Sequence, residues 1–516
     1  MLLTASTVAA DEATSLALLN CLIREVSGPH GRVRTDGDRV TVSLAGTTLS
    51  CRLLRPPHGP TLRIAPPYEA GGRDLAWDEL AELVAAELER TTGLGNPEFL
   101  GQVRSSHTAM GLIHDRHQAR TGYLGSEQAL LSGHRFHPSP KARQGDPDDW
   151  LPYAPETGAR FPMRWLEVEE DLLVGAGDLG PLAGPGLLPV HPWQWSLLRD
   201  RPVLRQALRS GRVRDLGERG AEAVATSSVR TLYLPDANVF AKFSLDVRIT
   251  NCVRKNAWYE LAAAPALTRL LKPIFGDALL GEPAYRTVRL ADLGLHEGLG
   301  VILREGLRNP ERMVLAGALT EPGGILPDRL AATDPVVWWE AYVRQVAPPV
   351  LAALLEHGVV LEPHLQNVLI ELGEDGVPVR AVFRDLEGTK LLPGRFDLGG
   401  LPERVREAVT YDEERGWTRV AYCLFVNHLA EIAASVADCS GVPEAELWRA
   451  GHTVIADHTP PDDRLAALLA GAPLPAKANL LARWARSADR VAAYVPVTSP
   501  FSAQPPGRGA GAWSIM

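Results

Sequence analysis

The densest group of side chains able to do chemistry lies in the segment that begins at Glu362. After Glu-Pro-His-Leu-Gln-Asn, an apolar run ends at Leu372, the turn Gly-Glu-Asp-Gly follows, and a second run leads to Arg-Asp-Leu-Glu-Gly. Closed symmetrically on its turn as a β-hairpin, this segment sets Leu372 opposite Val377. Counting back by twos along both strands then brings His364 close to Asp385.

This predicted hairpin collects five polar side chains at its open end: His364, Gln366, Asn367, Asp385 and Glu387. An ordinary polar hairpin end does not require such convergence, so the pattern favours a ligand site. The side-chain oxygens of Asn367 and Asp385 suit Mg²⁺, a hard cation that proteins hold through one or two ligands plus phosphate oxygens. The sequence therefore predicts a site for Mg²⁺ and a phosphorylated ligand.

A second hairpin is predicted where β-rich runs flank the turn Pro-Asp-Ala-Asn. Ser228 and Arg230 are two residues apart on its first strand, so we expect them to share a face. Lys242 lies near Arg230 across the hairpin, in a register that the sequence does not fix. Like charges on a sheet repel unless an anion lies between them, which favours a ligand site over a solvated edge. The polar series continues with Arg248, Thr250 and Arg254.

Residues 132–145 form a loop, broken by prolines, that is rich in cationic and imidazole side chains. Arg and Lys donate charge-assisted hydrogen bonds, so the loop is either a cradle for phosphates and carboxylates or a solvated basic surface. The residue content alone leaves both interpretations open. The side chains concerned are His134, Arg135, His137, Lys141 and Arg143.

The elements that must position these groups divide into three stretches. Residues 1–120 mix helix and strand patterns, and residues 121–325 are rich in Gly, Pro and short strands. Residues 326–499 are largely helical, with one apolar helix from Pro335 to near Gly358 and another from Tyr422 to Val436. Residues 500–516 are rich in Gly, Pro, Ser and Ala, which predicts a disordered tail. The fold class is therefore predicted as α+β.

Composition excludes several classes of protein. The net charge of −9 over 516 residues argues against a non-specific nucleic-acid binder, which needs a basic face. Five scattered cysteines without a Cys-x-x-Cys pair favour reduced thiols over disulfides or a zinc site. The first residues lack the basic region of a signal peptide, and no apolar run is long enough to span a membrane. A soluble, cytoplasmic protein is expected.

Four motifs occur in order along the chain and together carry a family resemblance. They are the basic segment from Gly133 to Gly145, the sequence His-Pro-Trp-Gln-Trp at 191–195, the Ser-Ser-Val-Arg-Thr hairpin with Lys242 and Arg254, and Glu-Pro-His-Leu-Gln-Asn with Arg384-Asp385. The chain thus resembles the NRPS-independent siderophore synthetase (IucA/IucC) family over roughly residues 80 to 485. The resemblance implies a hand-like fold with a thumb, fingers and a helical palm, here assigned to the three stretches above.

The resemblance also implies a reaction and the residues that perform it. A carboxylic acid, with citrate favoured, would attack the α-phosphate of ATP, and an amine or hydroxyl nucleophile would then capture the acyl-adenylate. Arg230, Arg254 and His364 are the implied catalytic residues, and a homodimer is the implied assembly. The implied ATP ligands are His134, Ser228, Arg230, Lys242, Asn367, Asp385 and Glu387, with Mg²⁺ on Asn367 and Asp385; the implied substrate contacts are Thr250, Arg254, His364 and Lys477.

Two rival classes remain open on the residues. A kinase-like phosphotransferase also holds Mg²⁺ and ATP with an Asn and an Asp that flank a hairpin, but it would release ADP. Such an enzyme normally places an Asp base shortly before the Asn, where this chain has His364. A non-enzymatic siderophore carrier would bind its ligand without consuming ATP.

Overall fold

Buried apolar side chains form three large clusters in the computed structural model, which describes residues 5–250, 252–487 and 493–502. One cluster lies mainly in the first hundred residues, a second in an eight-stranded sheet, and the third among the C-terminal helices. The combination of helices with sheets built from antiparallel strand pairs confirms the predicted α+β class. The division at residues 120, 325 and 499 stays a prediction.

The N-terminal group packs helices against a five-stranded antiparallel sheet. Its buried cluster is completed by Leu480 and Trp484, which lie far along the chain. The elements are α1 (Ala5–Leu22), continued by a π-helical turn (Ile23–Ser27), β1 (Val33–Asp36), β2 (Arg39–Leu44), β3 (Thr47–Leu53), β4 (Ile64–Ala70), β5 (Arg73–Asp74), α2 (Trp77–Thr92) and α3 (Phe99–Arg116).

The middle group is organised by an eight-stranded sheet in the order β7-β14-β15-β11-β10-β9-β6-β8. A separate two-stranded ladder, β12 with β13, carries the chain toward the next helix. The elements are α4 (Gly122–Gln128), α5 (Pro147–Trp150), β6 (Arg160–Val168), β7 (Leu173–Ala176), β8 (Leu187–Val190), α6 (Pro192–Leu198), α7 (Pro202–Arg209), β9 (Val213–Ala225), β10 (Thr231–Leu234), β11 (Val239–Phe243), β12 (Leu245–Ile249), β13 (Cys252–Arg254), α8 (Trp258–Phe275), β14 (Ala284–Val288), α9 (Leu293–Gly298) and β15 (Val301–Arg304).

The predicted hairpin around the Pro-Asp-Ala-Asn turn is confirmed as β10 and β11, with Thr231 paired to Lys242. Its first strand is shorter than predicted, because β10 begins only at Thr231. Ser228 and Arg230 therefore lie in the turn before the strand, and the expectation that they share a strand face is wrong. The reason is Val229, which adopts a left-handed conformation with φ of 64° and interrupts the extended chain.

The C-terminal group is largely helical, as predicted, and its core surrounds α11. The elements are β16 (Met313–Leu315), α10 (Leu326–Leu330), α11 (Pro335–Leu355), β17 (Val359–Val360), β18 (Val368–Leu372), β19 (Pro378–Phe383), β20 (Lys390–Leu391), α12 (Glu403–Val409), α13 (Glu413–Ala421), a π-helical segment (Tyr422–Leu429), α14 (Ala430–Ser440), α15 (Glu444–His458), α16 (Asp463–Leu469), β21 (Leu474–Lys477), α17 (Asn479–Trp484) and β22 (Tyr494–Val497).

The predicted hairpin near 367–385 is β18 and β19, which pair with β16. Leu372 pairs with Pro378 instead of Val377, because the register shifts by one irregularity beside the turn. At the open end the shift amounts to two residues, because Val368 pairs with Phe383 where the symmetric closure would set it opposite Ala381. Asn367 and Arg384 are therefore neighbours, and the backbone N–H of Arg384 donates to the Asn367 carbonyl at 3.1 Å.

The continuous helix Glu413–Ser440 contains the second predicted apolar helix and is long and apolar enough to cross a membrane. Its apolar window is completely buried within the protein, so the packing of the C-terminal core accounts for its composition. Of the predicted tail, Pro500 to Ser502 are described and contact the body: the carbonyl of Pro500 lies 2.9 Å from His58 Nε2, and the Phe501 ring packs on Trp448. Residues 503–516 lie outside the described residues.

Candidate functional site

The middle and C-terminal groups meet at a buried cluster of opposite charges. Lys242 on β11 places its ammonium 2.5 Å from Asp385 Oδ1 and 3.1 Å from Glu387 Oε2. Arg230, from the turn before β10, donates to Glu387 Oε2 at 2.5 Å. The two hairpins that the sequence singled out therefore meet side chain to side chain.

Two further residues complete the cluster from the sheet. Arg304 at the end of β15 donates to Glu282 at 2.7 Å and to Asp385 at 3.3 Å. Glu282 also lies 3.8 Å from the Lys242 ammonium. Three cations thus face three carboxylates, so their charges balance within the cluster. Sequence reasoning missed Arg304 and Glu282, since their place depends on β15 lying beside β11 in the sheet order.

These contacts shift the ionisation of the carboxylates. Burial opposes ionisation of Asp385, but the charges of Lys242, Arg304 and Arg230 outweigh it and hold the pKa well below the usual range. For Glu387, Arg230 and Lys242 likewise overcome burial and lower the pKa to about 2. Both groups are therefore carboxylates at neutral pH, and they keep their cationic partners charged.

Arg230 also organises the chain that follows β11. Its guanidinium donates to the Asn256 side-chain oxygen at 2.6 Å and to the Arg254 carbonyl at 3.3 Å. The Arg254 guanidinium in turn donates to Thr250 Oγ1 at 3.1 Å. Three predicted site residues, Arg230, Thr250 and Arg254, are thereby brought together. Ser228 lies beside them in the turn, where its hydroxyl contacts that of Thr231 at 2.9 Å.

His364 and Asn367 lie at the open end of the second hairpin, as predicted. Asn367 is 6% exposed, and its amide nitrogen donates to the Glu362 carbonyl at 3.2 Å. His364 Nδ1 accepts the backbone N–H of Gln366 at 3.3 Å, so the neutral ring carries its proton on Nε2. Burial lowers the pKa of His364, against the opposing charges of Glu362 and Asp385.

The side chains of the basic loop lie in two different environments. Lys141 and Arg143 are buried and both pair with Glu156 at 2.7 Å, so the interpretation of a solvated basic surface is wrong for these two, and a role in binding anions stays a prediction. His134 instead faces the C-terminal group, where its Nε2 lies 2.6 Å from the Asn427 amide nitrogen. Burial lowers the pKa of His134 to about 4, with Arg24, His364 and Lys477 acting in the same direction.

Lys477, at the end of β21, is buried and lies close enough to His134 and His364 to lower the pKa of both. The predicted residues therefore form two adjoining subsets. One is the charged cluster around Lys242, and the other contains the two neutral histidines with Lys477. Asp385 belongs to both, since its charge reaches His364.

A small cavity of about 40 Å³, with room for a few water molecules, opens beside the charged cluster. Its lining includes the polar side chains Lys242, Asn256, Glu260 and Glu387. It also includes the apolar side chains Ala263, Ala264, Leu267, Ile302, Leu386 and Val409. Burial, with the nearby charge of Glu387, raises the pKa of Glu260 to about 7.

The hairpin end has side-chain oxygen atoms that fit Mg²⁺. Asp385 Oδ1 accepts from Lys242 and Arg304, and the Asn367 amide nitrogen is engaged by a carbonyl. This leaves Asp385 Oδ2 and the Asn367 side-chain oxygen as hard oxygen ligands, a set that fits an ion also bound by phosphates. Among the described residues, no group of three or more His, Cys, Asp or Glu side chains forms a metal site independent of such a ligand.

Comparison with known families places two profile matches along the chain. Residues 122–321 match the IucA / IucC family, and residues 337–492 match a family described as ferric iron reductase FhuF-like transporter. The first match contains the turn with Arg230 and strand β11. The second contains both strands of the hairpin that carries Asn367 and Asp385.

Curated relatives align over about two thirds of this chain. The rhizobactin siderophore biosynthesis protein RhbC of Rhizobium meliloti is 30% identical over 390 residues, which span 63% of this chain and 64% of that protein. An L-2,3-diaminopropanoate–citrate ligase of Staphylococcus aureus is 30% identical over 63% of this chain and 64% of its own length. An N(2)-citryl-N(6)-acetyl-N(6)-hydroxylysine synthase of Vibrio mimicus is 29% identical over 68% of this chain and 69% of its own length.

Solved structures extend the likeness to nearly the whole fold. ATP-bound aerobactin synthetase IucA of Klebsiella pneumoniae superposes with a TM-score of 0.83 over 96% of this chain and 100% of that chain, at 24% identity. The petrobactin biosynthesis protein AsbB of Bacillus anthracis gives a TM-score of 0.82 over 96% of both chains, at 19% identity. At these identities the likeness establishes the fold, and it confirms the hand-like architecture predicted above.

Proposed function

Because this chain belongs to the IucA/IucC family, we propose that it is an ATP-dependent ligase that joins a polycarboxylic acid to an amine or hydroxyl nucleophile through an acyl-adenylate. Citrate or a close relative is the proposed acid, in keeping with the citrate ligases among its relatives. The observation that carries this proposal is the cluster of Arg230, Lys242 and Arg304 facing Asp385 and Glu387 beside a cavity.

The cluster suits a reaction between two anions. A carboxylate and a triphosphate repel each other, so a site must supply several cations to bring them within attacking distance. Arg230 and Lys242 are buried but already hold their charge by pairing with Glu387 and Asp385. A phosphate that binds here would replace these carboxylates as the partner of Arg230 and Lys242. Both side chains are already protonated, so binding requires no change in their charge.

The proposed arrangement of ATP follows from the lining of the cavity, which would have to widen from about 40 Å³ as the nucleotide binds. Its apolar residues suit a nucleobase, and Lys242 and Glu387 belong both to the lining and to the charged cluster. Asn367 and Asp385 would hold Mg²⁺ against the phosphates. When bound, this ion would neutralise part of the charge that develops on the phosphate oxygens.

The chemistry requires two displacements. A carboxylate oxygen of the acid attacks the α-phosphorus, and the bond to the pyrophosphate oxygen breaks. The nucleophile then attacks the acyl carbon, the bond to AMP breaks, and the nucleophile loses a proton to solvent or to a base. Arg230 and Arg254 stabilise the phosphate charge in the first step, and His364, which is neutral, donates its Nε2–H to the acid without adding charge.

The test is to identify the nucleotide product. The purified protein is incubated with ATP, Mg²⁺, hydroxylamine and a panel of carboxylic acids, and AMP, ADP, pyrophosphate and hydroxamates are measured. We expect AMP and pyrophosphate, with citrate the best acid. Arg230→Gln should reduce the rate about 100-fold. Arg205→Gln, which changes an exposed arginine paired with Asp200, should leave it unchanged.

ADP and phosphate as products would overturn the proposal and support a phosphotransferase. Tight binding of a siderophore with no ATP consumed would point to a carrier. A homodimer and a cytoplasmic location stay predictions, tested by light scattering and by fractionation.

A further inference from the structure

A buried carboxylate that the sequence did not single out joins the two halves of the proposed site. Glu127, at the end of α4, is 0% exposed. Its Oε2 accepts the backbone N–H of Ser227 at 3.0 Å and the Ser227 hydroxyl at 2.7 Å. Its Oε1 accepts from the Arg384 guanidinium at 2.5 Å. One side chain therefore holds both the turn before β10 and the end of the second hairpin.

Both contacts lie next to residues of the proposed site. Ser227 directly precedes Ser228 and lies three residues before Arg230, while Arg384 directly precedes Asp385. The Arg384 guanidinium is also fixed by two hydrogen bonds to the Gln366 carbonyl, at 2.8 and 3.0 Å, beside Asn367. Glu127 thus touches none of the proposed ligand-binding groups, but it is one residue removed from several of them.

The backbone at both contacts is strained. Val229 and Asp385 have φ of 64° and 76°, in the left-handed region that residues with side chains rarely adopt. Such conformations persist only where the surrounding structure enforces them. Glu127 bonds the chain two residues before the first of these positions and one residue before the second, so it helps to hold both turns in place.

We propose that Glu127 is a positioning residue that sets the distance between the phosphate-binding turn of Ser228 and Arg230 and the Mg²⁺-binding end of the hairpin at Asp385. This inference rests on the proposed function. It predicts that a change at Glu127 impairs ATP binding and turnover in molecules that remain folded. A displacement of about 1 Å between groups that act together can reduce a rate by on the order of 100-fold.

The test compares three variants, each corrected for the folded fraction. Glu127→Gln keeps the shape of the side chain but loses the charge that pairs with Arg384. Ser227→Ala removes only the hydroxyl arm. Glu87→Gln is the matched control, because Glu87 is also a buried carboxylate between two cations, Arg32 and Arg90, and lies in the N-terminal group. Thermal unfolding, kcat and KM for ATP, and the calorimetric Kd for ATP are measured.

We expect Glu127→Gln to lower kcat/KM for ATP roughly 10- to 100-fold per folded molecule and to weaken the Kd. Glu87→Gln should lower only the melting temperature. The proposal is overturned if Glu127→Gln stays within twofold of the wild type, or if Glu87→Gln loses as much activity. If Glu127→Gln does not fold, Ser227→Ala tests the proposal instead. A Kd for ATP and a kcat equal to those of the wild type would then overturn it.

The Kd measurement separates this proposal from the proposed function. A wild-type protein that binds ATP but releases no AMP would contradict the ligase assignment. The ratio of ATP dissociation constants between the wild type and Glu127→Gln would still test the positioning role. If the two dissociation constants were equal, the proposed positioning role of Glu127 would be overturned as well.

Discussion

Lys242 shows how the proposed site depends on mutual compensation of charge. Its side chain is 2% exposed and lies within 4 Å of Asp385, Glu387 and Glu282. Removing one partner from a buried set leaves the others without compensation, which typically destabilises a protein by about 3–5 kcal/mol. Lys242 is therefore expected to matter for folding as well as for binding.

We predict that Lys242→Met lowers the free energy of unfolding by about 3–5 kcal/mol and the rate of AMP formation about 100-fold. Urea unfolding and the hydroxamate assay measure the two effects. Lys255→Met is the control, because Lys255 is 29% exposed and pairs only with Glu297, at 3.4 Å, among the described ion pairs. Equal stability of the Lys242 variant and the wild type would mean that the carboxylates are accommodated without the ammonium.

A second residue-scale prediction concerns His191, which is completely buried in a ring of aromatic side chains. Burial lowers its pKa from 6.5 to about 3, with a smaller opposing effect of the Val229 backbone. Below pH 6.5 the unfolded chain therefore binds a proton at this residue that the folded chain does not. This difference favours the unfolded chain, so the stability of the fold is greatest above pH 6.5 and decreases as the pH falls toward 3.

His191→Asn should remove that dependence while preserving the cap of α6, because Asn also accepts a backbone N–H at this position. Relative to the variant, the wild type should lose about 1.4 kcal/mol of stability for each pH unit between 6.5 and 3. Urea unfolding at pH 7.5, 6 and 5 measures the difference. Parallel curves for the two proteins would show that His191 titrates normally.

At the scale of elements, the turn before β10 is held in an unfavourable backbone conformation by packing. Val229 is 3% exposed and belongs to a buried cluster that also contains Trp193, Leu245 and Val247. A left-handed conformation costs a residue with a Cβ about 1–2 kcal/mol, and glycine is spared this cost.

The turn therefore reverses the usual preference between alanine and glycine. We predict that Val229→Gly is more stable than Val229→Ala by about 1 kcal/mol, since both lose the same packing and only alanine retains the strain. At Val224, which is buried within strand β9, alanine should be the more stable replacement. Thermal unfolding of the four variants measures both differences, and the same order at both positions would contradict the assigned turn.

The same turn marks the limit of what the sequence could predict. Both hairpins could be predicted, because β-rich or apolar runs flank turn-forming residues in the sequence. Closing the second hairpin symmetrically on its turn placed His364, Asn367 and Asp385 at one end. The start of β10 was wrong, because β-forming residues run through positions 226–233 and only tertiary packing around Val229 interrupts the strand. Arg304, Glu282 and Glu127 were missed for a related reason: nonlocal packing and sheet order bring them to the site.

At the scale of the whole molecule, buried ion pairs connect the N-terminal group to the C-terminal helices. Arg63 is 4% exposed, and its guanidinium pairs with Glu431 at 3.1 Å and with Asp438 at 2.8 Å. Arg55 reinforces the junction by pairing with Asp438 at 2.8 Å. These contacts bridge more than 360 positions of sequence, so they join the two groups directly.

We predict that Arg63→Met lowers the free energy of unfolding by about 3–5 kcal/mol, because Glu431 would be left buried without its principal partner. Arg205→Met, which breaks an exposed pair, should barely change stability. Chemical unfolding followed by tryptophan fluorescence and by circular dichroism tests both. If the two probes still coincide in Arg63→Met, the groups remain cooperative without this contact; a retained stability would contradict the prediction.

The N-terminal core has a consequence for how the protein is made. Helix α17 completes that core: Glu25 accepts the backbone N–H groups of Leu480 and Leu481, and the Trp484 indole donates to the Leu94 carbonyl, 390 positions away. A ribosome adds roughly 5–20 residues per second. About 20 to 80 seconds therefore pass between synthesis of the first hundred residues and synthesis of α17. During that time the apolar residues that α17 covers are exposed. We expect chaperones to bind the nascent chain until synthesis is almost finished.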